Sequence, residues 1–343
     1  MADVRIEFGE LVRVMADVLV RLAFDEDRAH ASATLFAEAS RDGVASHGLN
    51  RFERFVATIR NGTVDVGARA ECVAAHGGLE RWNGHRGPGN LNAQASMHRA
   101  ITLAQAHGLG AVALGNTNHW MRGGSYGWQA AEAGVIGICW TNTLPNLPPW
   151  GSSIPLLGNN PLVMAVPRRA GHVVLDMAMS QFSFGALASH RSRNEALPVA
   201  GGFDSSGALT RDAASIEASG RPLPIGFWKG SGLALLLDIM GVLLSGGLAT
   251  HDIPADPERE TGMSQVFIAL DAAAVTPGDR QASTMDAVVD RIIDQLQHAT
   301  SAAGEAVRYP GQRTLETRRR SLADGVPVNA AVWRVVQSLS LSS

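Results

Sequence analysis

The chain has 343 residues, 45% of them hydrophobic and 18% charged, with a formal net charge of −3. That balance supports a sizeable core and excludes global disorder, and the length suits one large or two interleaved domains rather than a string of modules. It also speaks against a nucleic-acid partner, because the one short cationic run, Arg318 to Arg320, reads as the solvated face of a helix.

The N-terminus, Met1 to Arg5, opens directly into an amphipathic pattern with no basic segment leading an apolar one, so no secretory signal is read. Leu11, Val14, Met15, Val18, Leu19 and Leu22 recur at helical spacing, and Asp25 is placed to cap a second helix through Ala39. A polar turn from Ser40 to Gly48 precedes a short helix carrying Phe52, Phe55, Val56 and Ile59. The middle changes character. Gly110–Gly115, Val135–Trp140, Pro161–Val166 and His172–Asp176 are continuous apolar runs bounded by Gly, Pro or Asn, as strands buried on both faces require. Helical stretches near 90–107, 125–133, 181–192 and 231–246 alternate with them, which defines an α/β class. The end, roughly 279–299 and 314–340, returns to helix. With no linker in sight, the expected division is interleaved. Residues 1–70, joined by 314–343, form a helical part, and 71–313 form an α/β part that holds a cofactor.

Cys72 and Cys139 stand far apart, which argues against disulfides and fits a reducing, cytoplasmic setting. The longest apolar run, Leu233–Leu244, is broken by Asp238 and too short to span a bilayer, so no membrane partner is expected.

No GxGxxG fingerprint is present. Gly87 and Gly89 run on to Asn92 where a third glycine belongs, and Gly108 and Gly110 precede a strand instead of following one. An ordinary Rossmann enzyme is therefore disfavoured. The cations give a sharper clue. Of 29 Lys plus Arg, one alone is lysine, Lys229, inside Gly226–Gly232 at the start of a helix. A compact ammonium beside Gly230, Ser231 and Gly232 at a helix N-terminus suits an anion, and the same lysine suits a Schiff-base enzyme acting on sugar acids.

His47 lies in a Gly-flanked turn with Ser46 before it and Arg51 four residues on. A near-neutral imidazole can protonate an alkoxide as it forms, and a guanidinium can clamp a carboxylate. His119 follows a strand, where α/β proteins place ligands. Each histidine also has an ordinary structural reading. Together with Asp176 they lack metal-ligand spacing, so no metal is expected. Trp120, Trp128, Trp140 and Trp150 crowd one central region, either as packing or as a wall for a nicotinamide or adenine ring.

Ser46–Gly48 with Arg51, Asn116–Gly127, Pro148–Gly151, Gly158–Pro161 and Gly226–Gly232 together resemble the non-Rossmann malate/L-lactate dehydrogenase family, from about residue 6 to about 335. Within it, Trp120–Glu132 and Val199–Asp204 are most similar to members acting on a sugar-derived keto acid. Members acting on malate, lactate, ureidoglycolate or a 2-imino acid remain the alternatives. The resemblance implies a sulfolactate dehydrogenase-like fold: a mixed sheet with helical N- and C-terminal parts, a loop-wrapped NAD, and a homodimer. It implies His47 as proton donor, with Ser46 and His119 orienting the carbonyl and Arg51 holding the carboxylate. In other members the histidine at His119 is the acid–base, so the choice between the two stays open. Cofactor contacts carry over to Thr143, to Val174, Leu175, Asp176, Met177, Ala178, Met179 and Ser180, to Trp228 and Lys229, and to Gly311, Gln312 and Arg313. Where the family pattern has a Gly-His-Glu-like triplet, this chain has Gly311, Gln312 and Arg313. An arginine there suits a 2′-phosphate, so NADH is preferred with NADPH left open.

Overall fold

A computed structural model describes residues 3–276, 282–299 and 307–341. The chain opens with a strand, β1 (Asp3–Ile6), where the sequence suggests the start of a helix. α1 (Phe8–Arg21) follows, burying Leu11, Val14, Met15, Val18 and Leu19. α2 (Glu26–Arg41) starts at the expected cap, since the Asp25 carboxylate accepts the Arg28 amide at 2.9 Å. α3 (Leu49–Arg60) turns Leu49, Phe52, Phe55 and Val56 inward.

The sheet follows: β2 (Glu71–His76), β3 (Leu79–Asn83), α4 (Gly89–His107), β4 (Leu109–Asn118), α5 (Gly124–Glu132), β5 (Ile136–Thr141), β6 (Leu162–Val166) and β7 (Val173–Met177). α6 (Phe184–Arg193), β8 (Gly202–Phe203), β9 (Leu209–Thr210) and α7 (Ala213–Ser219) form a small excursion before α8 (Trp228–Ser245) and β10 (Thr261–Leu270). The chain ends in α9 (Ala282–Gln297), α10 (Gln312–Asp324), β11 (Val326–Asn329) and α11 (Ala330–Leu341). The expected helix over 314–340 is therefore interrupted by a strand, whose Val326 and Val328 point inward. Of the span expected as helix over 279–299, residues 279–281 lie outside the described residues.

Among the described residues, seven strands form one sheet in the order β2-β3-β4-β10-β5-β6-β7. Only the β3–β4 pair is parallel, joined through α4 as a crossover, and the remaining pairs are antiparallel. The sheet is mixed, as the resemblance implies. Alternate residues feed two cores. Val112, Leu114, Cys139, Val163 and Phe267 face α4 and α5, while Ala113, Trp140, Leu162 and Val266 face α8. A third core unites α1, α2 and α3 with β11 and α11, and β1 pairs antiparallel with β11 from Asp3 against Asn329. The two chain ends thus close one layer.

α8 is long and apolar enough to cross a membrane by length and composition. One of its faces packs on the sheet: Trp140 Nε1 donates to the Leu237 carbonyl at 3.0 Å, and Asn142 donates to the Asp238 carboxylate at 2.8 Å. Its other face exposes Leu235, Leu236, Ile239, Met240 and Leu243.

Candidate active site

Ser40, in the last turn of α2, accepts the Leu49 amide at 2.8 Å and caps α3 from nine residues away. Gly48 makes the cap possible, because a Cβ there would strike the Ser40 hydroxyl and the α2 backbone. Between these fixed points Ala45–His47 forms a single 3₁₀ turn. It presents Ser46 and His47 to a cavity of about 810 Å³, a size suited to a cofactor with its substrate. Gly185 at the start of α6 closes over Ser46, leaving 2.9 Å between its would-be Cβ and the Ser46 Oγ.

His119 stands at the end of β4 on a pinned loop. Asn118 donates to the Arg86 and Gly87 carbonyls at 2.6 and 2.9 Å, and its own carbonyl accepts from Gln265 at 3.1 Å. The buried Tyr126 hydroxyl donates to the Trp120 carbonyl. Held between these, Met121 adopts φ +65°, a region that side chains seldom enter. That bend places the Met121 amide 3.0 Å from His119 Nδ1. Nδ1 must then accept, so the neutral ring carries its hydrogen on Nε2. The His47 and His119 rings stack with centroids 5.9 Å apart, and Ser46 Oγ lies 3.1 Å from His47 Nδ1.

Both rings are held neutral. Burial, then the charges of Arg51 and Arg122, pull His47 down to about 4. Burial pulls His119 well down, with Arg51 and the His47 charge adding to it. Arg51 itself is mostly enclosed and faces the buried Glu260 at a loose 3.8 Å. Burial raises the Glu260 pKa, which the Arg51 charge and the Leu144 amide oppose. The guanidinium is oriented by that carboxylate without being consumed by it.

Further lining comes from β7 and the start of α10. Val174, Leu175, Asp176, Ala178, Gly311 and Thr143 line the cavity, and Thr143 Oγ1 donates to the Asn159 amide oxygen at 3.0 Å. Gly311 has φ +94°, and a Cβ on it would sit 3.1 Å from the Val174 amide nitrogen. It ends at the N-terminus of α10, whose first-turn Thr314 also faces the cavity. A backbone wall free of bulk beside a helix N-terminus fits the ribose and phosphates of a dinucleotide.

The structure does not bring every expected residue here. Met177 does not line the cavity, Met179 is buried in the core beneath α8, and Ser180 donates to the Phe182 carbonyl at 2.9 Å. Gln312 is engaged locally, accepting from the Tyr309 amide and donating to Glu316, while Arg313 is exposed. Trp228 and Lys229 stand exposed at the start of α8, just beyond Ile225, whose amide bonds the Met179 carbonyl. The anion site read at Gly230–Gly232 changes accordingly: the helix already starts at Trp228, and the Ser231 hydroxyl accepts from the Trp150 amide. Of the four tryptophans, Trp128 and Trp140 are core, Trp120 is buried yet touches the cavity, and Trp150 is half-exposed against Phe227. Among the described residues no group of His, Cys, Asp and Glu is placed to hold a metal ion.

Three charged lining residues carry no role in the sequence reading. Arg54 is one helical turn's neighbour of Arg51, a spacing that could have found it. Glu260 lies in no motif. Arg122 sits inside the Asn116–Gly127 stretch, where nothing local marks it as buried. It also corrects the reading of the cationic run, because Arg318 is no solvated residue. It donates twice to Asp42, the same carboxylate that Arg122 reaches, and covers the Trp128 ring at 4.6 Å.

The chain belongs to the malate/L-lactate dehydrogenase family, whose model matches residues 6–337, and is therefore an oxidoreductase. It is similar to 2,3-diketo-L-gulonate reductase from Escherichia coli, with 42% identity over 98% of this chain and 100% of that protein. Among solved structures it is similar to sulfolactate dehydrogenase from Methanocaldococcus jannaschii (TM-score 0.89, 25% identity, 98% and 96% of the two chains). Malate dehydrogenase from Pyrococcus horikoshii is similarly close (TM-score 0.88, 26% identity, 99% and 95%). The family implies a nicotinamide cofactor and a small keto-acid substrate.

Proposed function

We propose that the chain reduces the C2 ketone of 2,3-diketo-L-gulonate, giving 3-dehydro-L-gulonate, with NADH as the preferred reductant. The observation that carries this reading is the stacked histidine pair, in a cavity that Arg51, Val174, Leu175, Asp176 and Ala178 also line. The identity to the E. coli reductase supports the substrate. A bound nicotinamide supplies the hydride. Arg51 takes the substrate carboxylate, and His119 donates from Nε2 to the ketone oxygen while remaining neutral. His47 delivers the proton, with Ser46 orienting its ring. His119 is assigned the neutral role because charging it would put a hydrogen on Nδ1 against the Met121 amide.

The cavity-facing Asp176 suits ribose hydroxyls of a bound nicotinamide cofactor. Trp228 and Lys229 are assigned to the outer part of the cofactor. The exposed apolar face of α8, with Trp150 against its first turn, supports a homodimer. Two free cysteines, one exposed and one buried, support a cytoplasmic location. The Schiff-base alternative loses its footing, since Lys229 does not line the cavity.

The test follows NADH and NADPH absorbance separately against 2,3-diketogulonate, oxaloacetate, pyruvate and a cyclic imino acid. Highest kcat/KM with NADH and diketogulonate is expected, and preference for oxaloacetate or the imino acid would move the chain to another member activity. A second measurement addresses the carboxylate. Arg51→Lys keeps the charge and loses the planar fork, so KM for the keto acid should rise about tenfold or more with NADH affinity unchanged. An unaltered KM would place the carboxylate elsewhere.

A further inference from the structure

Arg51 and Arg54 stand three residues apart on α3, a spacing that makes their side chains neighbours on one helix face. Both line the ligand cavity. Both also line an enclosed pocket of about 20 Å³ beside it, together with His119 and Glu260. Four side chains that share the walls of so small a space lie close to one another.

The two guanidinium groups are not equally answered. Arg51, its side chain 19% exposed, faces Glu260 at 3.8 Å, and the 4% exposed Glu260 also accepts the Leu144 amide at 3.2 Å. Arg54 is exposed. Among the described residues no carboxylate lies within 4.0 Å of it and no hydrogen bond engages it. An unpaired arginine on a helix surface is ordinarily just solvated, but this one turns toward a cavity that already holds a carboxylate clamp. With Glu260 ionised against Arg51, that clamp has lost its charge. The loose contact leaves Arg51 its planar set of donors, and Arg54 supplies the positive charge that Glu260 cancels. The histidines alongside are neutral, so Arg51, Arg54 and Glu260 together carry a surplus of one positive charge, which a single carboxylate matches.

We infer that Arg54 is a specificity-determining residue that completes the clamp on the substrate's C1 carboxylate. Arg51 contributes shape and Arg54 contributes charge, so the site distinguishes a keto acid from its neutral amide. The inference rests on the keto-acid reading above.

The test measures kcat and KM for each keto acid that the wild type reduces, with NADH, in wild type, Arg54→Met and Arg54→Lys. It adds inhibition by oxamate, an anion, and by oxamide, its neutral counterpart. Arg54→Met should raise KM about five- to tenfold, the low end for a charge-assisted bond because the group is exposed. It should leave kcat within about twofold and NADH affinity unchanged. The rise should be the same for pyruvate and oxaloacetate, and oxamate should weaken by the same factor while oxamide does not change. Arg54→Lys should recover most of the loss, the reverse of Arg51→Lys, because charge and not a planar fork is what this position supplies. An unchanged KM, an equal loss for oxamide, or a rise confined to oxaloacetate, which would put Arg54 on a second carboxylate, overturns the inference. Failure of the wild type to reduce any keto acid removes the keto-acid reading itself. Oxamate binding the wild type no better than oxamide, with turnover intact, removes only the two-arginine clamp.

Discussion

His47→Gln should lower kcat for ketone reduction by about 10²- to 10⁴-fold, the usual contribution of a positioned acid, while NADH affinity stays unchanged. Glutamine keeps a polar group near Ser46 and cannot deliver a proton. His119→Gln should cost less, because an amide can still donate a hydrogen bond to the ketone oxygen. A larger loss at His119 than at His47 would exchange the two roles. The pH dependence carries the same assignment. Burial beside Arg51 and Arg122 holds His47 near 4, so above that pH its charged, proton-delivering form is the minor one. For reduction, kcat/KM should fall about tenfold per pH unit above the His47 pKa. The kcat limb should lie at higher pH, because a substrate carboxylate paired with Arg51 cancels part of the charge that disfavours imidazolium. Hydroxy-acid oxidation, which needs the neutral base, should stay level from about pH 5 upward. A reduction profile flat from pH 5 to 8 would remove His47 as the proton source.

How much of this was legible in the sequence follows the length of each signal. The apolar runs ending at Gly115, Trp140, Val166 and Asp176 are long enough to show as strands, and each is one. Asp25 announces α2 because capping is local chemistry. β1 and β11 are four residues each and too short to show a period, and they exist because Val4 finds Val328 across more than three hundred residues. β2 escapes for another reason. Its residues are exposed on both faces at the sheet edge, so no hydrophobic alternation marks it. The same division runs through the site. Ser46, His47 and Arg51 share one short segment and could be read together. Glu260 and Arg122 are brought in by separate elements, and nothing within a few residues of either reports the company it keeps. Arg318 is the sharpest case, because three consecutive arginines on a helix look like a wet face until α10 meets Asp42.

That meeting leads to the largest stability effect expected of any single change. Asp42 fastens the end of α2, the loop before α5 and α10 to one another. Asp42→Ala should cost about 3–5 kcal/mol, the penalty for leaving buried charges without their partner, and should lower the melting temperature by on the order of 10 °C. Asp42→Asn separates charge from shape, since it keeps the volume and one acceptor while leaving three arginines against a neutral amide. It should lose most of the same stability. The pH behaviour fixes the sign. Burial pushes the Asp42 pKa up, but the Arg318 hydrogen bonds and the Arg122 and Arg41 charges outweigh it and hold the group far below the ordinary carboxylate range. Its stabilisation is therefore complete above the unfolded value near 4 and is lost only as pH falls toward the folded one. Wild type and Asp42→Asn should differ by a constant amount from pH 5 to 8 and converge in strong acid. An Asp42→Asn protein melting within a degree of wild type at pH 7 would show that the three arginines are answered by other groups, and the cluster would then be packing rather than a fastener.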